Sequence, residues 1–191
     1  MCGGRQGRHA LGALERQQAR RPDRIAAGGG SAGGYLAAAV ATLPGHDDPG
    51  GDKSVSVFPN ALALFNPGTI ISPVLGYTAV DDRQDEYRAR FDADPHSVSP
   101  YHHVGENPPP TIIFHAKADT TVPYESADLF CAKLREKGGK CRLEGYEGMP
   151  HGFFNHGRND NVPYRDTVRK MDEFFVKLGW LDGKPTIQPT E

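Results

Sequence analysis

The chain lacks any run of about eighteen apolar residues, so its sequence offers no membrane-spanning helix. It lacks an excess of either charge. With 22 Lys and Arg against 24 Asp and Glu, the net charge of −2 supplies no field to draw nucleic acid or anionic lipid. Cysteine is scarce: Cys2, Cys131 and Cys141 form neither a disulfide framework nor a CxxC metal pattern. Cys131 and Cys141 are close enough to pair if a helix-to-strand turn joins them, and two half-buried thiols explain them equally well. There is no internal repeat. Met1 to Arg21 has Arg and Gln but no continuous apolar stretch of the signal-peptide kind, which leaves bacterial cytoplasm and secretion both open. Arg20-Arg21 reads as a solvated pair. Collagen, coiled coil, simple disorder and membrane protein are excluded. What is present is a chain of 191 residues, 37% hydrophobic and 24% charged, the size of one domain. Gly and Pro, 23 and 16 residues, make up about a fifth of it, below the roughly 25–30% of low-complexity chains.

The elements alternate. A helix is expected over Ala10–Arg20, then a short strand Arg24–Ala27, a glycine-rich turn Gly28–Gly34 and an Ala-rich helix Tyr35–Thr42. Leu43–Ser54 is a polar loop. The continuous apolar runs Ala61–Phe65 and Thr111–His115 predict strands covered on both faces. Val80–Phe91 carries mixed charge and is expected to be helical, followed by an irregular stretch His96–Pro110. Tyr124–Lys137 is amphipathic, with Gly138-Gly139 as its stop. Cys141–Tyr146 alternates like an outer strand, and Tyr164–Leu178 closes the fold with an apolar stripe. Residues 1–9 and 181–191 are expected to be loose. This order predicts an α/β fold with a parallel sheet of about four strands, binding ligands at the strands' carboxyl ends. Three loops leave those ends with reactive side chains: Ser31, Asp119 and His151.

Gly29-Gly30-Ser31-Ala32-Gly33 is a G-x-S-x-G motif between a strand and a helix. A sharp strand-to-helix turn holds its serine clear of the sheet, small neighbours avoid clashes, and the Ala32 N–H faces the same space as an oxyanion donor. Gly28, Gly30 and Gly33 also spell the dinucleotide fingerprint, but that reading needs a strand ending in an acid about 20 residues on. Here Asp47 and Asp48 sit in a polar loop instead. A phosphate loop is excluded, because no Lys-Ser or Lys-Thr follows the glycines. Taken alone, Asp119 reads as a turn residue and His151, between Pro150 and Gly152, as a surface residue. Taken together, Ser, Asp and His stand in the α/β-hydrolase order, each at the end of its own strand.

The stretch Asp23–Gly34 resembles the nucleophile elbow of α/β-hydrolase esterases. Ile112–His115 with Ala118–Pro123 resembles their acid loop, and His151-Gly152-Phe153-Phe154-Asn155 their histidine loop. The likeness runs from about Asp23 to Leu178 and points to the bacterial esterase/lipase-like and acetyl-xylan-esterase-like branch. It implies a single-domain minimal α/β-hydrolase core without lid or cap, with Ser31 as nucleophile, His151 as general base and Asp119 as its orienting acid. Ala32 N–H would hold the oxyanion, and no cofactor or metal is implied. The family's earlier strands and His-Gly-Gly-Gly loop have no counterpart, so a second oxyanion N–H is expected only if Gly3-Gly4 folds back. An exposed sheet edge at Arg24–Ala27 further suggests a homodimer, a monomer with its N-terminal segment lying along that edge being the alternative.

The substrate class expected is a short-acyl ester, small or carried on a polymer such as acetylated polysaccharide or polyester. Phe65, Asn66, Tyr77 and Tyr101 are expected to line its site. His115 is expected to buttress the acid loop, and His102-His103, without an acid partner, reads as a loop feature. An oligopeptidase-like serine peptidase and a non-catalytic binding fold are the alternatives.

Overall fold

A computed structural model describes residues 24–43, 45, 50 and 56–187. The expected helix at Ala10–Arg20, Cys2, Gly3-Gly4 and Arg20-Arg21 lie outside the described residues.

A four-stranded parallel sheet runs β1 (Ala26–Gly30), β2 (Ala61–Phe65), β3 (Thr111–Ala116) and β4 (Cys141–Tyr146), with neighbours in sequence order. The helices are α1 (Ala32–Thr42), α2 (Gln84–Phe91), α3 (Tyr124–Glu136) and α4 (Val162–Lys177). A 3-10 turn at Asp81–Arg83 leads into α2, so the charged stretch 81–91 is helical as expected. One boundary differs. β1 is placed two residues later than the Arg24–Ala27 expected, and runs through the glycines to Gly30. Glycine has poor strand propensity, but here it pairs in full register, Gly28 opposite Ala63 and Gly30 opposite Phe65.

Because side chains alternate across a strand, β2 and β3 feed two cores. Leu62, Leu64 and Ile113 face α1 and α3, meeting Ala37, Ala38, Phe130 and Leu134. Ala61, Ala63, Ile112 and Phe114 face the other way, against Phe153 and the α4 stripe of Met171, Phe174 and Phe175. Each fully buried Leu, Ile or Phe contributes about 1.5–3 kcal/mol. Alanines on α1 let it lie close to the sheet, with Ala38 wholly buried.

Between β2 and β3 the chain makes a long excursion with a small core of its own, Ile70, Ile71, Tyr77, Val80, Tyr87 and Val98. This core sets α2 beside the start of α1, where the Tyr35 ring packs tilted against Phe91 at 5.2 Å between ring centres. Cys131 of α3 and Cys141 of β4 form a disulfide with Cα atoms 5.5 Å apart, which settles the pairing that the sequence leaves open.

Candidate active site

The sheet's carboxyl end gathers the three loops. Ser31 sits between β1 and α1 with φ 53° and ψ −116°, a backbone region that residues bearing a Cβ rarely adopt. Two hydrogen bonds fix it there: Ser31 N–H donates to the Phe65 carbonyl at 2.8 Å, and Tyr35 N–H donates to the Ser31 carbonyl at 3.0 Å. As the first residue of α1, Ala32 presents an N–H with no intrahelical acceptor.

His151 bridges the other two loops. Its Nε2 lies 2.9 Å from Ser31 Oγ and its Nδ1 2.7 Å from Asp119 Oδ2. With Nδ1–H donated to the carboxylate, Nε2 is left as the acceptor for the serine hydroxyl. The loop is anchored on both sides: Phe153 is fully buried in the core that faces α4, and Ala118 N–H donates to the Met149 carbonyl at 3.1 Å. The ring itself is about a quarter exposed, so the serine side of the bridge meets solvent while the acid side does not.

The Asp119 carboxylate is fully enclosed and surrounded by donors. Oδ1 accepts from Thr121 N–H at 2.8 Å and Val122 N–H at 2.9 Å, and Oδ2 accepts from His151 and from the Asn66 amide. Burial opposes ionisation, but the hydrogen bonds from Val122, His151, Asn66 and Thr121 outweigh it and hold the carboxyl below its ordinary range. His115 is wholly buried behind it, donating from Nε2 to the Val122 carbonyl at 2.9 Å, with that nitrogen 3.6 Å from Asp119 Oδ2. Burial pushes the His115 imidazole down, which favours its neutral form. It buttresses the acid loop, as its place at the strand end suggests.

A cavity of about 280 Å³ opens beside Ser31 and Ala32. Its walls are mostly apolar, with Tyr35, Leu36, Ile71, Tyr87, Phe91 and Val122 prominent. None of the four residues expected to contact substrate lines it. Phe65 packs between Phe114, on which it stacks at 4.9 Å, and Phe154, tilted against it at 5.0 Å between centroids. Asn66 is fully buried, its amide turned to Asp119. Tyr77 is 2% exposed in the excursion's own core, and Tyr101 is half-buried between that core and the main one. Part of the true lining was within reach of the sequence, since Tyr35 lies one helical turn after Ser31 and Tyr87 and Phe91 share a face of α2. What brings α2 to α1 is the folding of the excursion, which leaves no periodic signal.

Among the described residues Asp119 is one of four carboxylates held low, with the exposed Glu86, held so by its hydrogen bond from Arg83, and with Glu144 and Asp166. Burial opposes ionisation of Glu144 and Asp166 as well, yet both are pulled below their ordinary range, chiefly by Lys170, with Arg142 also acting on Glu144 and with Tyr146 and Arg169 on Asp166. Carboxyls depressed in the folded state stabilise it fully above their unfolded values of about 4, and lose that contribution as pH falls through their folded values. The melting temperature should therefore fall steeply on acidification below about pH 4, as followed by calorimetry. A melting temperature constant down to pH 3 would show that these pairs contribute nothing.

Comparison with known proteins agrees with this geometry. Residues 6–155 match the family model of the alpha/beta hydrolase fold. The native structure of a thermophilic esterase from the Planctomycetes species Thermogutta terrifontis superposes with a TM-score of 0.78 at 44% identity, over 85% of this chain and 58% of that one. Its propionate-bound form gives 0.76 at 43% identity, covering 86% and 59%. The same esterase phosphorylated by paraoxon gives 0.75 at 42% identity, covering 85% and 57%. The chain thus spans 58% of the length of that native esterase. No curated protein matches it. A serine in strained strand-to-helix geometry, a four-stranded parallel sheet and a family match over most of the sequence lead to one assignment: the chain belongs to the α/β-hydrolase fold family.

Proposed function

We propose that the chain is a serine carboxyl-ester hydrolase acting on short-acyl esters. The observation that carries this reading is the unbroken relay Ser31 Oγ, His151, Asp119 beside an apolar cavity of about 280 Å³. His151 Nε2 takes the hydroxyl proton as Ser31 Oγ attacks the ester carbonyl. The carbonyl oxygen becomes an oxyanion and is met by the Ala32 N–H. As the tetrahedral intermediate collapses, the proton on His151 passes to the departing alkoxide, which leaves as the alcohol. Water then gives a proton to His151 and its oxygen to the acyl-enzyme, releasing the acid and restoring Ser31. Asp119 keeps Nδ1–H directed inward and stabilises the imidazolium that forms twice per cycle.

The similarity to an esterase whose structures hold propionate and butyrate supports a short acyl group. Leu36, 61% exposed at the cavity, places the opening at the surface, and the substrate class accordingly includes esters carried on acetylated polysaccharide or polyester. Amide cleavage fits less well, since it demands stronger leaving-group protonation.

The test is a series of p-nitrophenyl esters. Each methylene buried adds about 0.8 kcal/mol until the cavity walls are met. The expected kcat/KM rises from acetate to butyrate and falls by about tenfold or more at laurate, as the chain outgrows the pocket. Equal values across the series would overturn the short-acyl assignment, and hydrolysis of an aminoacyl anilide at comparable rate would move the reading to a peptidase.

A further inference from the structure

Asn66 follows β2 directly and is wholly buried. Its φ is 44°, in the left-handed region where asparagine is tolerated and glycine is more comfortable. Its backbone N–H is already satisfied by the Phe114 carbonyl at 2.9 Å. The side-chain amide donates to Asp119 Oδ2, the same oxygen that accepts from His151 Nδ1. The amide oxygen, Oδ1, is buried without a hydrogen-bond partner among the described residues. A buried orphan acceptor costs stability. The side chain therefore occupies a strained, partly unsatisfied position in which its one hydrogen bond goes to Asp119.

Resting on the catalytic reading of Ser31, His151 and Asp119, we propose that Asn66 is a positioning residue, its amide holding the Asp119 carboxylate in place behind His151. The backbone supports this. Phe65, the residue before it, accepts the Ser31 N–H, so two consecutive residues at the end of β2 hold the nucleophile and the acid. The titratable groups that face Asp119 are His151 and His115, and Asn66 is the uncharged side chain that donates to it. Without that amide, Asp119 is less well solvated as an anion and takes up a proton at higher pH.

Two variants test this. Asn66→Gly keeps the left-handed backbone and deletes the amide. Asn66→Asp keeps the shape and sets a second carboxyl against the first. Both are compared with wild type for kcat and KM from pH 4 to 9, and for the titration of the Asp119 carboxyl by carbon NMR, assigned by its loss in Asp119→Asn. Asn66→Gly should lower kcat about 10- to 100-fold while KM changes less than about twofold, because Asn66 does not line the cavity. The acid limb of kcat/KM and the Asp119 titration should both move to higher pH, and further in Asn66→Asp.

A folded Asn66→Gly protein with unchanged kcat and unchanged Asp119 titration would overturn the proposal. So would failure of both variants to fold, which would make the residue structural. If wild type shows no Ser31-dependent turnover, the esterase reading fails separately, and the Asp119 titration alone decides on Asn66.

Discussion

Ser31→Ala should lower p-nitrophenyl acetate turnover by about 10⁴- to 10⁶-fold, the scale on which loss of a serine nucleophile acts when its partners remain. The hydroxyl's hydrogen bond is to His151 Nε2, and the backbone strain at φ 53° is carried by main-chain bonds to Phe65 and Tyr35. The variant therefore keeps the fold while removing the reacting atom, and its melting temperature should stay within a few degrees of wild type. KM should change little, since the cavity walls are untouched. Parallel assays of the two folded proteins decide the matter. Turnover that survives in the variant, or is absent from both, would leave the relay as inherited geometry and favour a binding role for the fold.

Gly29→Ala should have an effect of similar severity for an unrelated reason. A Cβ at Gly29 would stand 2.6 Å from the Gly33 carbonyl carbon and 2.7 Å from its oxygen. Those are backbone atoms of α1, so relief requires the helix to shift from β1 and to carry Ser31 with it. A loss of about 4 kcal/mol or more is expected, near the top of the range for single substitutions. Gly33→Ala is the informative control. A Cβ there meets nothing within 4 Å, and alanine should gain up to about 1 kcal/mol in helix propensity. Denaturant melts of the two variants should thus move in opposite directions, although both alter the same five-residue motif. Similar destabilisation by both would show that the motif's glycines serve backbone conformation and not the close approach of strand and helix.

The parts of this arrangement that were legible in the sequence are those written in local pattern. Ala61–Phe65 and Thr111–His115 announce buried strands by composition, and the reactive residues follow because each lies just past a strand. β1 was harder to place. Its glycines look like turn, yet they are extended because they pair in register with β2, and the approach is so close that a Cβ on Gly28 would lie 2.7 Å from the Ala63 carbonyl oxygen. The cavity lining is not written in local pattern, because it depends on a path through space. Tyr77 is aromatic, but the excursion buries it in its own core. Asn66 stands at the strand end that its sequence position suggests, but its side chain does not line the cavity. A left-handed φ, invisible in the sequence, turns its amide towards Asp119 and away from the opening.

The Cys131–Cys141 bridge spans ten residues, from the middle of α3 to the first residue of β4. Closing so short a loop removes disorder chiefly from the unfolded chain, with a contribution of roughly 2.5–3 kcal/mol on the chain-entropy model. The bridge lies at the amino end of β4, while Asp119 and His151 lie past the carboxyl ends of β3 and β4. A thiol reductant would therefore subtract from the protein's tolerance of heat while leaving the relay's hydrogen bonds in place. Durability and reactivity are set at opposite ends of one sheet, and the redox poise of the surroundings acts on the first alone.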